Sequence, residues 1–217
     1  MFSRLEMFNE PALSLTKTAH DGKFRTKRNS IEKVHVTKKK LSKLTGILID
    51  NAMDEVERFI PQISDSLAKK YFVDMQQKCF ALGLTGVHDC GINEHTVDLI
   101  DEAQKQGLLK MKIFALLSDS AHYYDKWLAK GPYLTDRLHV GGFKLYADGA
   151  LGSRGACLLK DYSDQPGWKG FLLSEQEHFS AIAEKLSKSS FQMCTHAIGD
   201  SGNRTILNTY AKVLKGK

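Results

Sequence analysis

No stretch of this chain is apolar over the roughly eighteen residues that a membrane-spanning helix needs. The opening MFSRLEMFNEPALS has no sustained apolar core of the kind a secretory leader carries. The four cysteines, Cys79, Cys90, Cys157 and Cys194, form no CxxC pair. Their scatter argues against a zinc–thiolate site or a disulfide framework, and for free thiols in a reducing, cytoplasmic compartment. Neither GxGxxG nor GxxxxGK(S/T) follows any apolar run, and the glycine-rich GALGSRG at 149–155 fits neither spacing, which weakens the dinucleotide- and nucleotide-binding options. There is no internal repeat. What is present is ordinary for a folded domain: 217 residues, 42% hydrophobic and 26% charged, enough for one domain or slightly more and too apolar for wholesale disorder.

The net charge of +6 is unevenly placed. Residues 21–43, DGKFRTKRNSIEKVHVTKKKLSK, hold nine Lys/Arg against two acidic residues, and the balance beyond Leu44 is near neutral. Without interleaved aromatics or a reader motif, this segment reads as a solvated basic loop or hairpin, and nucleic acid is not the expected partner. Residues 1–43 are therefore set apart as a basic N-terminal region. Residues 44–60 read as a short apolar strand and then a helix ending before Pro61.

From there the pattern alternates. A helix capped by Ser64 or Ser66, with Leu67, Tyr71, Met75 and Leu82 as its apolar positions, ends at Gly83. A strand follows at 84–89, then a helix from Asn93 to Gln106 burying Val97, Ile100 and Ala103. Strand 111–117 precedes a helix or loop around HYYDKWLAKGP, and strand 140–146 precedes a long polar loop. The capping-box pattern Ser174/Glu177 opens a helix burying Phe179, Ile182, Ala183 and Leu186. Strand 191–196 and a helix near 202–214, resting on Ile206, Leu207, Tyr210 and Leu214, complete the series. Such alternation means parallel strands joined by right-handed crossovers, in a barrel or an open sheet.

Two strand ends carry the chemistry. Lys144 lies near the end of an otherwise apolar strand, where an amine must be paired, deprotonated or modified. Pairing with Asp148, a Schiff-base or general-base role, and carboxylation to a metal-binding anion all fit. His196 closes the strand FQMCTH, where a neutral imidazole can bind a metal or be held by hydrogen bonds. Asp200 can orient that imidazole, cap the next helix or touch substrate. His88 and Asp89 end the earlier strand on opposite faces, so at most one enters a pocket. In the long loop after Lys144, Asp148 can hold the lysine or a water, Ser153 and Arg154 can bind an oxyanion or carboxylate, and Tyr162, Asp164 and Trp168 can shape a rim. A purely structural Ω-loop fits the same residues.

On TGILIDNAM (45–53), LGLTGVHDCG (82–91), GGFKLYADGALGSRGACL (141–158), YSDQPGWKG (162–170) and THAIGDSGNR (195–204), the chain resembles the metal-dependent amidohydrolase superfamily, in its amidohydrolase-3 group that includes N-substituted formamide deformylases. The resemblance covers about residues 44–214. It implies an α/β fold, a TIM-like (β/α) barrel spanning 44–217, and hydrolysis of a non-peptide amide or formamide-like C–N bond with one or two divalent ions, zinc foremost. It makes Lys144 the carboxylated fourth-strand lysine and His196 the fifth-strand histidine, both metal ligands. Lys144, His196 and Asp148 are the catalytic candidates, and Ser153, Arg154, Tyr162 and Trp168 the substrate-binding ones. The family's His-x-His pair, sixth-strand histidine and eighth-strand aspartate have no counterpart here. The expectation is an incomplete barrel: an internal fragment with reduced metal affinity, or a non-catalytic interaction unit that self-associates through open edges.

Overall fold

The computed structural model describes Met53 and residues 59–215. The chain divides into a unit of residues 1–61 and one of residues 62–217. The basic segment and the strand–helix expected before Pro61 lie outside the described residues, apart from Met53, Phe59 and Ile60.

Helix α1 (Asp65–Ala81) starts where the Ser64 hydroxyl accepts the Leu67 amide at 3.4 Å, and ends before Gly83, whose φ of 79° is a left-handed conformation suited to glycine. Its apolar reading is the weakest of the series: Tyr71 is exposed, and the buried residues are Ala68 and Gln76. The Gln76 carboxamide reaches across to the turn before the next strand but one. It donates to Leu108 O at 3.2 Å and accepts from the Met111 amide at 3.0 Å and from the Lys110 amide.

Strand β1 (Gly86–Ile92), helix α2 (Glu94–Lys105), strand β2 (Lys112–Ser118) and helix α3 (Ala121–Lys130) follow. Asn93 caps α2 by accepting the Thr96 amide at 2.8 Å, and α2 buries Val97, Ile100 and Ala103 as its period requires. A two-residue strand β3 (Tyr133–Leu134), absent from the sequence reading, runs antiparallel to the first half of β4 (Leu138–Tyr146). Helix α4 (Gln176–Ser187), strand β5 (Gln192–His196) and helix α5 (Asp200–Leu214) complete the unit. Helix α4 begins one residue later than the Ser174 capping box predicts, with Glu175 at its N-cap. The preceding residues are tied to the end of β4, through the Leu173 amide on Ala147 O at 2.8 Å and a bridge between Asp148 and Leu172. In α5, Leu207 and Leu214 are exposed, and Ile206, Thr209 and Gly202 face inward.

The parallel strands lie in chain order, β1-β2-β4-β5, with β3 and β5 sharing one edge of β4 in succession. A sheet that grows in one direction without reversal is an arc of a singly wound barrel rather than a doubly wound sheet. It is open and incompletely closed among the described residues. The helices cover one face. There Ile113, Ala115 and Leu117 of β2 and Leu138, Val140, Phe143 and Leu145 of β4 pack in one apolar core with Ile100, Tyr124, Phe179, Ile182 and Ile206.

The inward residues of β4 change parity in mid-strand, from Leu138 and Val140 to Phe143 and Leu145. The cause is a bulge. Ala115 and Leu116 are consecutive on β2, whereas their partners Val140 and Gly142 are not, so Gly141 is an extra residue. Without it, unbroken alternation from Leu138 would turn Lys144 toward the helices. With it, Lys144 lies on the other, concave face. Strand β1 has a matching irregularity at Gly91 (φ 92°), which lets Asp89 and then Ile92 share the helix face.

Candidate active site

The concave face is read from the register. Lys144 pairs with Cys194 and Tyr146 with His196, so Lys144, Tyr146, Cys194 and His196 project on one side of two adjacent parallel strands, at their carboxyl ends. Beside them, Cys90 of β1 pairs with Leu116 on the same side. The curvature of the arc brings β1 back toward β4. A Cβ on Gly91 would stand 3.3 Å from the Tyr146 hydroxyl and 3.6 Å from Lys144 Cγ, a close approach that favours glycine.

Lys144 is half-buried. Its ammonium donates to Leu145 O at 3.1 Å and lies 4.0 Å from the centroid of the Tyr146 ring. Burial pushes the amine below its ordinary value, and the thiols of Cys90 and Cys194 act weakly the other way. Burial likewise raises the Cys194 thiol. The Tyr146 ring also lies against His196, centroid to centroid 5.7 Å, so it touches both the amine and the imidazole at the two strand ends. Tyr146 is the residue that sequence reasoning missed. The signal was available, since period two from Lys144 puts it on the same face.

The loop between β4 and α4 uses most of its polar groups on itself. Asp148 is fully buried and takes its hydrogen bonds from backbone amides: Cys157 and Gly199 on Oδ2, each at 2.8 Å, and Ile198 on Oδ1 at 2.9 Å. His196 Nε2 lies 3.9 Å from Oδ1, too long for a hydrogen bond. Arg154, at a positive φ of 62°, places its fork on Asp164, with Nε to Oδ1 at 3.1 Å and Nη2 to Oδ2 at 2.5 Å. The Tyr162 hydroxyl donates to Ala156 O at 2.9 Å, the Trp168 indole to Arg154 O at 2.8 Å, and Ser153 Oγ to Ala150 O at 3.1 Å. Asp200 accepts the amides of Leu159 at 2.8 Å and Ser201 at 2.9 Å, fastening loop to helix rather than orienting the imidazole.

His88 also faces the concave side, but toward the amino ends of the strands. It stacks on Phe114 at 5.0 Å, Phe114 meets His139 edge-on at 4.8 Å, and all three line an open groove of about 300 Å³. Asp89 faces the helix layer, where burial raises its carboxyl. The two residues lie on opposite faces as expected, but in the middle of β1, which runs on to Ile92, rather than at a strand end, and neither side chain joins Lys144 and His196.

A metal ion of the kind expected needs about three protein donors and an open position. Among the described residues no group of three or more His, Cys, Asp or Glu side chains is placed to hold one. Lys144 and His196 lie on one face, but they do not by themselves make a metal site. Also among the described residues, no helix is long and apolar enough to cross a membrane.

The fold agrees with what known proteins show. Protein LONG AFTER FAR-RED 3 of Arabidopsis thaliana is 29% identical over 181 residues, which is 78% of this chain and 31% of that protein. Putative amidohydrolase YtcJ of Bacillus subtilis (strain 168) is 28% identical over 177 residues, 77% of this chain and 32% of that one. Crystal structures of uncharacterized metal-dependent hydrolases from Pyrococcus horikoshii OT3 and Pyrococcus furiosus superpose with a TM-score of 0.68 at 28% identity. They cover 81% and 82% of this chain and 37% and 38% of their own. The chain thus spans about a third of the length of the relatives it matches. The model of the amidohydrolase family (Amidohydro_3) matches residues 6–217, and the chain belongs to that family, with the partial barrel of a metal-dependent amidohydrolase.

Proposed function

We propose that residues 44–217 carry the second- to fifth-strand part of a cytoplasmic hydrolase that cleaves non-peptide C–N bonds, amide or formamide-like, with the help of a divalent ion, zinc by the nitrogen and oxygen donors. The observation that supports it is the placement of Lys144 and His196 on one concave face at the carboxyl ends of adjacent parallel strands, where barrel enzymes assemble their sites. An amine held below its ordinary basicity can be carboxylated, which would turn Lys144 into an anionic donor beside the His196 imidazole. Polarising an amide carbonyl and lowering the pKa of water is the chemistry a divalent ion supplies when bound. Two donors fall short of a full set, so the ion is held weakly. Ser153, Arg154, Tyr162 and Trp168 serve the substrate as a braced wall, their polar groups being engaged within the loop. The four free thiols support the cytoplasmic placement.

The test is hydrolysis of N-substituted formamides and other non-peptide amides by the full chain with zinc in excess. The reading expects a slow, zinc-dependent rate that disappears in Lys144→Met and in His196→Ala. Equal rates in all three proteins would refute it. They would favour the second reading, an interaction unit in which the outer edges of β1 and β5, unpaired among the described strands, meet a second copy. Concentration-dependent sedimentation would register that association.

A further inference from the structure

We propose that Asp148 is a positioning residue: its buried carboxylate clasps the turn after β5 to the loop after β4, and so fixes the direction of the His196 ring relative to Lys144. What the clasp serves rests on the reading of Lys144 and His196 given above; the clasp itself does not.

Asp148 has almost no solvent exposure (1%), yet the contacts that satisfy it are three backbone N–H groups from two separate segments, residues 157 and 198–199. A buried carboxylate survives only if it is well paired or hydrogen-bonded, and charge-assisted bonds to successive amides form a nest for it. The chain is shaped around this arrangement. A Cβ on Gly199 would lie 1.9 Å from Cys157 O, and a Cβ on Gly202 would lie 2.6 Å from Asp148 Oδ2, so glycine is needed at both positions. Cys157 O in turn accepts the amides of Ser201 and Gly202, each at 3.1 Å. The Asn203 carboxamide holds Ala197 O at 2.8 Å and Gly199 O at 3.0 Å.

His196 sits between two anchors on consecutive residues. Its own carbonyl accepts the Ala147 amide at 2.8 Å, and the residues just after it are held by Asp148. The backbone that aims the imidazole is therefore set from the extension of the strand that carries Lys144. This also explains physically why ADGALGSRGAC and HAIGDSGN occur together: one supplies the carboxylate and the Cys157 backbone, the other the amides and the two glycines that fit them.

The test uses the full chain, free of added metal and substrate, with amide exchange and histidine ring signals read by NMR. Asp148→Asn keeps the shape but turns one acceptor oxygen into an N–H donor facing N–H donors. Exchange at Cys157, Ile198 and Gly199 should become roughly 10- to 100-fold faster, the range expected for losing bonds to a charged group. The His196 ring signal should broaden or split while those of His88 and His139 stay. Gly202→Ala, which presses on the carboxylate from behind, should give the same pattern more weakly, and serves if Asp148→Asn does not fold. Unchanged protection at the three amides would overturn the clasp. A His196 signal that does not move although the three amides have opened would overturn the positioning role. Because no ion or substrate enters these measurements, a clasp that behaves as described while zinc-dependent hydrolysis is absent would count against the hydrolase reading alone.

Discussion

Deleting Gly141 would undo the bulge that turns Lys144 onto the concave face. With strict alternation restored, Phe143 and Leu145, both fully buried in the core beneath the helices, would move to the open face, and Lys144 and Tyr146 would move beneath the helices. Exposing two such side chains costs about 1.5–3 kcal/mol each, together about 3–6 kcal/mol. Burying an amine without a partner adds several kcal/mol unless it is neutral. Against a typical domain stability of about 5–15 kcal/mol, the deletion should unfold the chain or leave it barely folded at room temperature. Gly141→Ala is the control, because it keeps the residue count. Its Cβ would meet side-chain atoms first, His139 Nε2 and the Phe114 ring at 2.8 Å, which can shift, and the cost should be about 1–2 kcal/mol. Urea denaturation followed by circular dichroism measures both. A deletion variant within about 1 kcal/mol of the parent would refute the parity argument, and with it the structural basis for placing Lys144 beside His196.

Other expectations are local. Gly199→Ala forces a methyl against the Cys157 backbone and should cost about 1–3 kcal/mol or more, measured as a lower denaturation midpoint. Gln76→Ala leaves two amides and a carbonyl without their partner at the turn before β2, and should cost about 1–3 kcal/mol in the same assay. The Tyr124 phenol is raised well above its ordinary 10.0 by burial and by Asp119, to which it donates at 2.9 Å. The folded state keeps that proton where the unfolded chain loses it. The resulting stabilisation is complete below pH 10.0 and is lost as pH rises above it, and Tyr124→Phe should flatten that alkaline dependence in melts taken across the range. An unchanged slope would contradict the assignment.

The alternation of helix and strand was legible because α2 and α4 carry clean apolar stripes and each parallel strand a short apolar run, whereas α3 read equally as helix or loop and α5 exposes Leu207 and Leu214, two of its expected inward residues. Asn93, Gly83 and the Val97–Ile100–Ala103 face came directly from local rules. The misses have physical reasons. Helix α1 is anchored by a polar residue, Gln76, whose value depends on amides more than thirty residues away, and no local period records that. Two-residue β3 is too short to carry a pattern. The parity change at Gly141 is invisible to an alternation rule, which assumes one residue per step. Lys144 and His196 stand out as ionisable residues near apolar strand ends, whereas Tyr146 carries no charge to mark it among the chain's aromatics. Asp148 stands out for its place beside Lys144, but its partners are the backbone amides of Cys157, nine residues on, and of Ile198 and Gly199, some fifty residues on in the turn after β5, so the sequence could show its charge and not its use.

The account depends most on Lys144 and His196 acting together on the concave face. Cobalt(II) titrated into the full chain in bicarbonate buffer, followed by its visible absorption, tests that joint action directly. The account predicts weak, saturable binding that is lost in Lys144→Met and equally in His196→Ala, and is untouched by His88→Ala, whose ring belongs to the groove at the other end of the strands. Binding that survives the loss of either Lys144 or His196, or that depends on His88, would contradict it.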